Sequence, residues 1–125
     1  MYPDKNTIMI SDTKGVSVID VNSIIRIEAL SSYSRILLTD GKQILVSKVL
    51  KYMEGLLDGK GFARIHRSHL VNTAWIQSYN LYHLRVLLYN HEEISIARRK
   101  GPDIRKKLAE QRSAFANNSS IKISA

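Results

Sequence analysis

Over most of this chain, apolar and polar residues alternate with a period of two, and turn-forming residues cut the alternation at short intervals. That pattern restricts the fold to half-buried strands joined by tight connections. Strands are expected at residues 7–11, 16–21, 24–29, 35–39, 42–46, 75–79, 82–89 and 93–97. Within 24–29, strict alternation places Ile25 and Ile27 on one face and Arg26 and Glu28 on the other. Asp12-Thr13-Lys14-Gly15 has turn chemistry. Asp40-Gly41 reads as the two-residue turn of a hairpin in which both central positions take positive φ, and Asn90-His91 as the turn of the last hairpin.

Two stretches change to helical spacing. Ser47 is placed to cap a helix whose apolar residues are Val49, Leu50, Met53, Leu56 and Leu57, with Gly59 and Gly61 ending it. A second helix opens at Gly101-Pro102, proline being tolerated in a first turn. Its apolar stripe is thin (Ile104, Leu108 and Phe115), so most of its basic surface should face solvent. Asn117-Asn118-Ser119-Ser120 reads as a linker or frayed end, which divides the chain into a domain at 1–115 and a flexible tail at 116–125. The expected fold class is mostly β, with packed antiparallel sheets, one short central helix and a C-terminal helix, not a βαβ fold.

Charge narrows the function. The 125 residues carry a net charge of +8 and a pI near 9.9, values that point to an anionic partner. Residues 98–112 hold seven cations against two carboxylates, and residues 35–67 seven against three; the remainder of the chain is slightly acidic. With no cysteine, disulfides, thiolate metal sites and thiol catalysis are excluded. No signal-peptide pattern and no membrane-length apolar run is present, so a cytoplasmic address and no membrane partner are expected. A glycine-rich phosphate loop, HExxH and GxSxG are all missing, so no enzyme activity and no cofactor are expected.

The segment at 62–72, FARIHRSHLVN, concentrates these signals. It begins and ends as strand but breaks at His66, Arg67, Ser68 and His69, four consecutive hydrogen-bonding side chains between apolar anchors. Together with IEALSSYSRILLTDGKQILVSKVLKYMEGLL at 27–57 and ISIARRK at 94–100, it resembles the LytTR DNA-binding domain. Most members of that family are bacterial transcription regulators, commonly fused behind a phosphoacceptor receiver domain; no receiver domain is expected within these 125 residues. The resemblance implies an elongated stack of small antiparallel sheets. It also implies binding to double-stranded DNA at directly repeated sites, by two copies side by side. Loops between strands, rather than a recognition helix, would enter successive major grooves and bend the duplex.

Carried over by position, the resemblance implies base contacts from Tyr33 and Ser34 at a first loop, Arg67 at a second and Arg98 at a third. Arginine suits that role, because its planar guanidinium can donate twice to guanine. The alternative for each arginine is a solvated surface cation, and for Tyr33 a half-buried strand residue. Lys48, Lys51, Arg99 and Lys100 are assigned to phosphates, and His66 and Ser68 to the DNA backbone beside Arg67. Strand spacing puts His66 and His69 on opposite faces, and no cysteine or nearby acid completes a metal shell; His69 is expected to make a structural hydrogen bond. Trp75, Tyr79, Tyr82 and Tyr89 read as core and sheet surface, not as a stacking platform for single strands. The competing functions are a β-rich interaction module for an acidic protein partner and an RNA-binding domain.

Overall fold

The computed structural model describes residues 6–12 and 14–119, except for the side chains of 12 and 111–119. Strands β1 (Thr7–Asp12) and β2 (Gly15–Asp20) form an antiparallel hairpin. Strands β3 (Ile24–Leu30), β4 (Tyr33–Leu38), β5 (Gln43–Val46), β6 (Phe62–His66) and β7 (His69–Asn72) form a five-stranded antiparallel sheet in the order β5-β4-β3-β7-β6. Helix α1 (Leu50–Leu56) lies between β5 and β6 in sequence. Strands β8 (Ile76–Asn80), β9 (Arg85–Leu88) and β10 (Glu93–Ser95) form a third sheet, and helix α2 (Gly101–Ser119) follows it. The expected class, small antiparallel sheets with two helices, is what the chain forms.

The chain passes between sheets by the same device twice. A short 3-10 turn at Val21–Ser23 is capped by Asp20, whose carboxylate accepts from the Asn22 N–H, and one at Thr73–Trp75 by Asn72, whose side-chain oxygen accepts from the Ala74 N–H. Each capping side chain satisfies a backbone donor that the sharp turn leaves open. The Asn72 amide also donates to the Ile24 carbonyl at 2.9 Å, the structural role expected of it.

The five-stranded sheet is the middle layer and has a core on each face. On one side, Ile27, Ile36 and Leu70 pack with Ile8, Ile10 and Ile19 of the hairpin and Leu50, Met53 and Leu57 of the α1 region. On the other, Ala63, Ile65 and Val71 pack with Val86, Leu88 and Ile94 of the third sheet and Ile104 and Leu108 of α2. Each of these larger side chains taken out of water contributes roughly 1.5–3 kcal/mol. Two-sided burial explains why β6 and β7 are almost continuously apolar away from their joining turn.

Five local expectations change. Ile25 does not share a face with Ile27: pairing slips between Ile24 and Arg26, and this bulge turns Ile25 into the second core while Ile24 and Ile27 both enter the first. Ser47 does not cap α1. The flanking residue is Val49, extended and with no side-chain cap, and it follows a bend at 47–48 that the Ser34 hydroxyl pins by donating to the Lys48 carbonyl at 2.6 Å. The strand expected at 82–89 starts at Arg85. Asn80 accepts from the N–H groups of Tyr82 and His83, and Leu84 takes a φ of 57°, so 81–84 is a turn. The Asp40-Gly41 connection places only Gly41 at positive φ. The Gly41 N–H donates to the Leu38 carbonyl and the Leu38 N–H to the Lys42 carbonyl, the geometry of a longer loop that ends on a left-handed residue. The last hairpin repeats that loop around Asn90-His91, with His91 as the left-handed residue. Of the expected linker at 117–120, Asn117, Asn118 and Ser119 instead continue helix α2, while the Phe115 side chain and residues 120–125 lie outside the described residues.

Candidate nucleic-acid interface

Strand register gathers the candidate residues at one end of the middle sheet. β3 and β4 close their hairpin with Leu30 opposite Tyr33, leaving the turn at 31–32. Ser34 pairs with Val46, so β5 runs out at the same end and continues into Lys48. Glu28 pairs with His69, and the Ala29 N–H donates to the Ser68 carbonyl at 2.9 Å, which sets the β6–β7 turn beside the β3–β4 turn. The Ala97 N–H donates to the Ile65 carbonyl at 2.8 Å and brings the 3-10 turn Arg98–Lys100 alongside. The β3–β4 turn, the 47–49 segment and the β6–β7 turn thus share one edge because antiparallel pairing returns the chain to it, and the Ala97–Ile65 bond adds Arg98–Lys100.

Within the first connection the pair Tyr33 and Ser34 separates. Both belong to β4; Tyr33 is 45% exposed, whereas Ser34 is 0% exposed and its hydroxyl is committed to Lys48. Ser34 shapes the segment that carries Lys48 and has no surface to offer a ligand. Lys48 is exposed, with its ammonium 5.0 Å from the ring centre of Tyr52, a cation–π arrangement that braces the lysine. Lys51 is exposed on α1.

At the second connection, Arg67 and Ser68 form the tip of the β6–β7 hairpin, with Arg67 exposed. The turn is held by Arg64. Its guanidinium donates to the His66 carbonyl at 3.0 Å and to the Arg67 carbonyl at 2.5 Å, and pairs with Glu54 of α1 at 2.9 Å. The Ser68 N–H donates to Nδ1 of His66 at 3.1 Å. The turn also brings the His66 and His69 rings to 5.2 Å, overriding the opposite faces that strand spacing implies. No group of three metal-binding side chains occurs among the described residues.

At the third connection the adjacent arginines diverge. Arg99 and Lys100 line a depression of about 300 Å³ together with Arg67, His66, Arg64, Glu54 and Ala97. Arg98 instead lines a neighbouring groove with Tyr82 and Arg105. Arg99 and Arg67 thus line the same depression, while Arg98 lines the other groove.

Behind this edge lies a polar cluster. Arg26, 8% exposed, donates to both Glu92 carboxylate oxygens at 2.9 Å and to Glu28 at 3.1 Å, while Arg35 reaches Glu28 at 3.2 Å. The two-pronged pair with Glu92 ties the middle sheet to the β9–β10 loop. The Glu92 hydrogen bond raises the Arg26 pKa against the cost of burial. Glu92 is held below the usual carboxylate range, chiefly by Arg26. For Glu28 burial opposes ionisation, but the hydrogen bonds from Arg35 and Arg26 prevail and its pKa is lowered. Burial, reinforced by the charges of His66 and Arg26, lowers the His69 pKa. The hydrogen bond expected of His69 is not made through Nδ1, which is buried with no partner, as is Nε of Arg35.

Sequence reasoning missed Arg64, Glu54 and Tyr52 as supporting residues. Arg64 stood out only as one cation in a basic stretch. Its function depends on α1 lying beside β6, a contact that leaves no local pattern.

The profile of the LytTr DNA-binding domain matches residues 14–109. A search of curated proteins finds no match. Among solved structures, the chain is similar to the LytTr DNA-binding domain of a protein described as a methyl-accepting/DNA response regulator from Bacillus cereus. The two are 22% identical with a TM-score of 0.69, over 84% of this chain and 98% of that one. No described helix is long and apolar enough to cross a membrane. With the family profile spanning most of its length, this chain belongs to the LytTr family of DNA-binding domains.

Proposed function

We propose that this domain reads double-stranded DNA in a sequence-specific manner through the connections at one end of its middle sheet. The reading rests on one observation: the β3–β4 turn, the 47–49 segment, the β6–β7 turn and Arg98–Lys100 share an edge rich in exposed cations. Arg67 reads a base, with Tyr33 making a second contact to a base or sugar. Lys48, Lys51, Arg99 and Lys100 hold phosphates, His66 and Ser68 lie against the backbone beside Arg67, and Arg98 joins the footprint from the adjacent groove. The cognate site is a direct repeat occupied by two copies side by side, and the domain acts in the bacterial cytoplasm to regulate transcription.

Selection of bound duplexes from a random library, followed by affinity measurements on the selected site, tests this. Arg67→Ala should cost about 1–3 kcal/mol on the cognate site and flatten preference at one position. Lys48→Ala should weaken all duplexes alike and lower the salt slope by about one. Recovery of no preferred sequence, or binding of an acidic protein or duplex RNA in preference to DNA, overturns the proposal.

A further inference from the structure

Apart from Arg98, the residues that form the groove it lines were not among the expected DNA contacts. The groove has a volume of about 400 Å³ and is lined by Leu81, Tyr82, Leu84, Arg98, Pro102 and Arg105. We infer that this groove is an additional backbone site, in which Arg98, Arg105 and Tyr82 grip a phosphodiester of the same duplex next to the part contacted by Arg67. The inference rests on the DNA-reading function proposed above.

Three features carry it. The first is charge: two guanidiniums line one groove, and among the described residues neither has a carboxylate within ion-pair distance. Paired guanidiniums suit a phosphate, because each presents a planar fork of donors.

The second is the 81–84 turn. Tyr82 is 88% exposed, far more than an aromatic needs to be on packing grounds, and its ring meets His83 edge-on at 4.9 Å. The turn is firmly built. Asn80 accepts from the N–H groups of both Tyr82 and His83, and the Ile96 N–H donates to the Leu84 carbonyl at 2.9 Å. Leu84 adopts a left-handed φ of 57°, costly for a branched side chain and stable only where its surroundings hold it. A phenol on a rigid turn offers its hydroxyl to a phosphate oxygen and its ring to a sugar, with little ordering cost.

The third is continuity. The backbone bonds from Ile96 to Leu84 and from Ala97 to Ile65 place the 81–84 turn, the Arg98–Lys100 turn and the Arg67 hairpin in succession. Arg98 and Arg99 are neighbours in the chain, one lining each cavity. A single backbone crossing this surface would meet both.

Salt-dependent affinity for a random-sequence duplex, measured on the whole chain, tests the site. Arg105 and Tyr82 are exposed, so their replacement should leave the fold intact. Arg105→Gln should weaken binding roughly three- to tenfold and lower the salt slope by about one. Arg105→Lys should keep the slope, and Tyr82→Ala should weaken binding to cognate and random duplexes alike. Lys106→Gln is the control: it removes one charge from the same helix but from a different cavity, shared with Glu54, Asp103 and Glu110. An unchanged slope in Arg105→Gln, or an equal fall in Lys106→Gln, overturns the site. Arg67→Ala measured in parallel separates the failures. If it weakens cognate binding while Arg105→Gln does nothing, only the groove is wrong; if neither variant has an effect, the DNA-reading surface itself is wrong.

Discussion

Arg64 holds Arg67 in place: its guanidinium donates to the Arg67 carbonyl and to the His66 carbonyl while its other side pairs with Glu54. One arginine thereby fixes the backbone of the turn that presents another. A two-residue hairpin tip free to change conformation would spread the Arg67 side chain over many positions. Anchoring it to α1 lowers the ordering cost when DNA arrives.

Replacing Arg64 therefore affects recognition without removing a proposed base contact. Arg64→Met keeps most of the packing but leaves two carbonyls without their donor, at a cost of about 1–3 kcal/mol in stability. The ratio of cognate to random affinity should fall with it, and Arg64→Lys should recover only part of the loss because lysine lacks the fork. Denaturant unfolding and competition binding read the two effects separately. A specificity ratio that stays at wild type would show that the turn holds its shape unaided.

Tyr33 and Ser34 should respond in opposite ways. Ser34→Ala takes away the donor to the Lys48 carbonyl and should lower stability by about 1 kcal/mol. Tyr33→Ala removes a half-exposed side chain and should leave the unfolding midpoint nearly unchanged while weakening DNA binding. The reverse pattern would require Ser34 to leave its buried position on binding.

The Arg26–Glu92 pair should matter more to stability than the surface ion pairs. Glu92→Ala strands an almost buried guanidinium that keeps only Glu28, and should cost roughly 2–4 kcal/mol. Because this pair joins the middle sheet to the β9–β10 loop, hydrogen exchange in β9 and β10 should rise with the loss. A cost below about 0.5 kcal/mol would place the pair among ordinary solvent-screened contacts.

Acid should weaken the fold in two steps. The His69 pKa is depressed below its ordinary 6.5 in the folded state, so the unfolded chain takes up the proton more readily. Stability is then fully present above about 6.5 and falls as pH drops from there toward the folded-state value. Glu28 and Glu92, lowered from 4.5, contribute stability that is lost only as pH falls below that value. Thermal unfolding from about pH 7.5 to about pH 2.5 should show both steps. His69→Gln should remove the first and keep the second, and an unaltered upper step in that variant would assign it to another histidine.

Much of the local structure was legible in the chain itself. Period-two alternation located most of the strands, and Gly101-Pro102 marked the start of α2. The failures were places where a distant contact overruled a local preference. Ile25 left the face of Ile27 because a bulge served two cores at once. Ser47 lost the cap to a bend at 47–48 pinned by Ser34. Leu84 was read as strand because nothing local forecasts a leucine at positive φ.

The amino-acid order by itself determined that this protein is mostly β, strongly basic and a relative of LytTr domains, since periodicity, charge and motif are properties of neighbouring residues. It also singled out Arg67 as exposed between apolar anchors. Only the tertiary structure decided which candidates stand together. Antiparallel register and the Ala97–Ile65 backbone bond brought the connections to one edge, the turn at 98–100 divided its arginines between the depression lined by Arg67 and the groove lined by Tyr82, and the packing of α1 gave Arg64 its partners. Those choices depend on hydrogen bonds and ion pairs between segments far apart in the chain, which no local window contains.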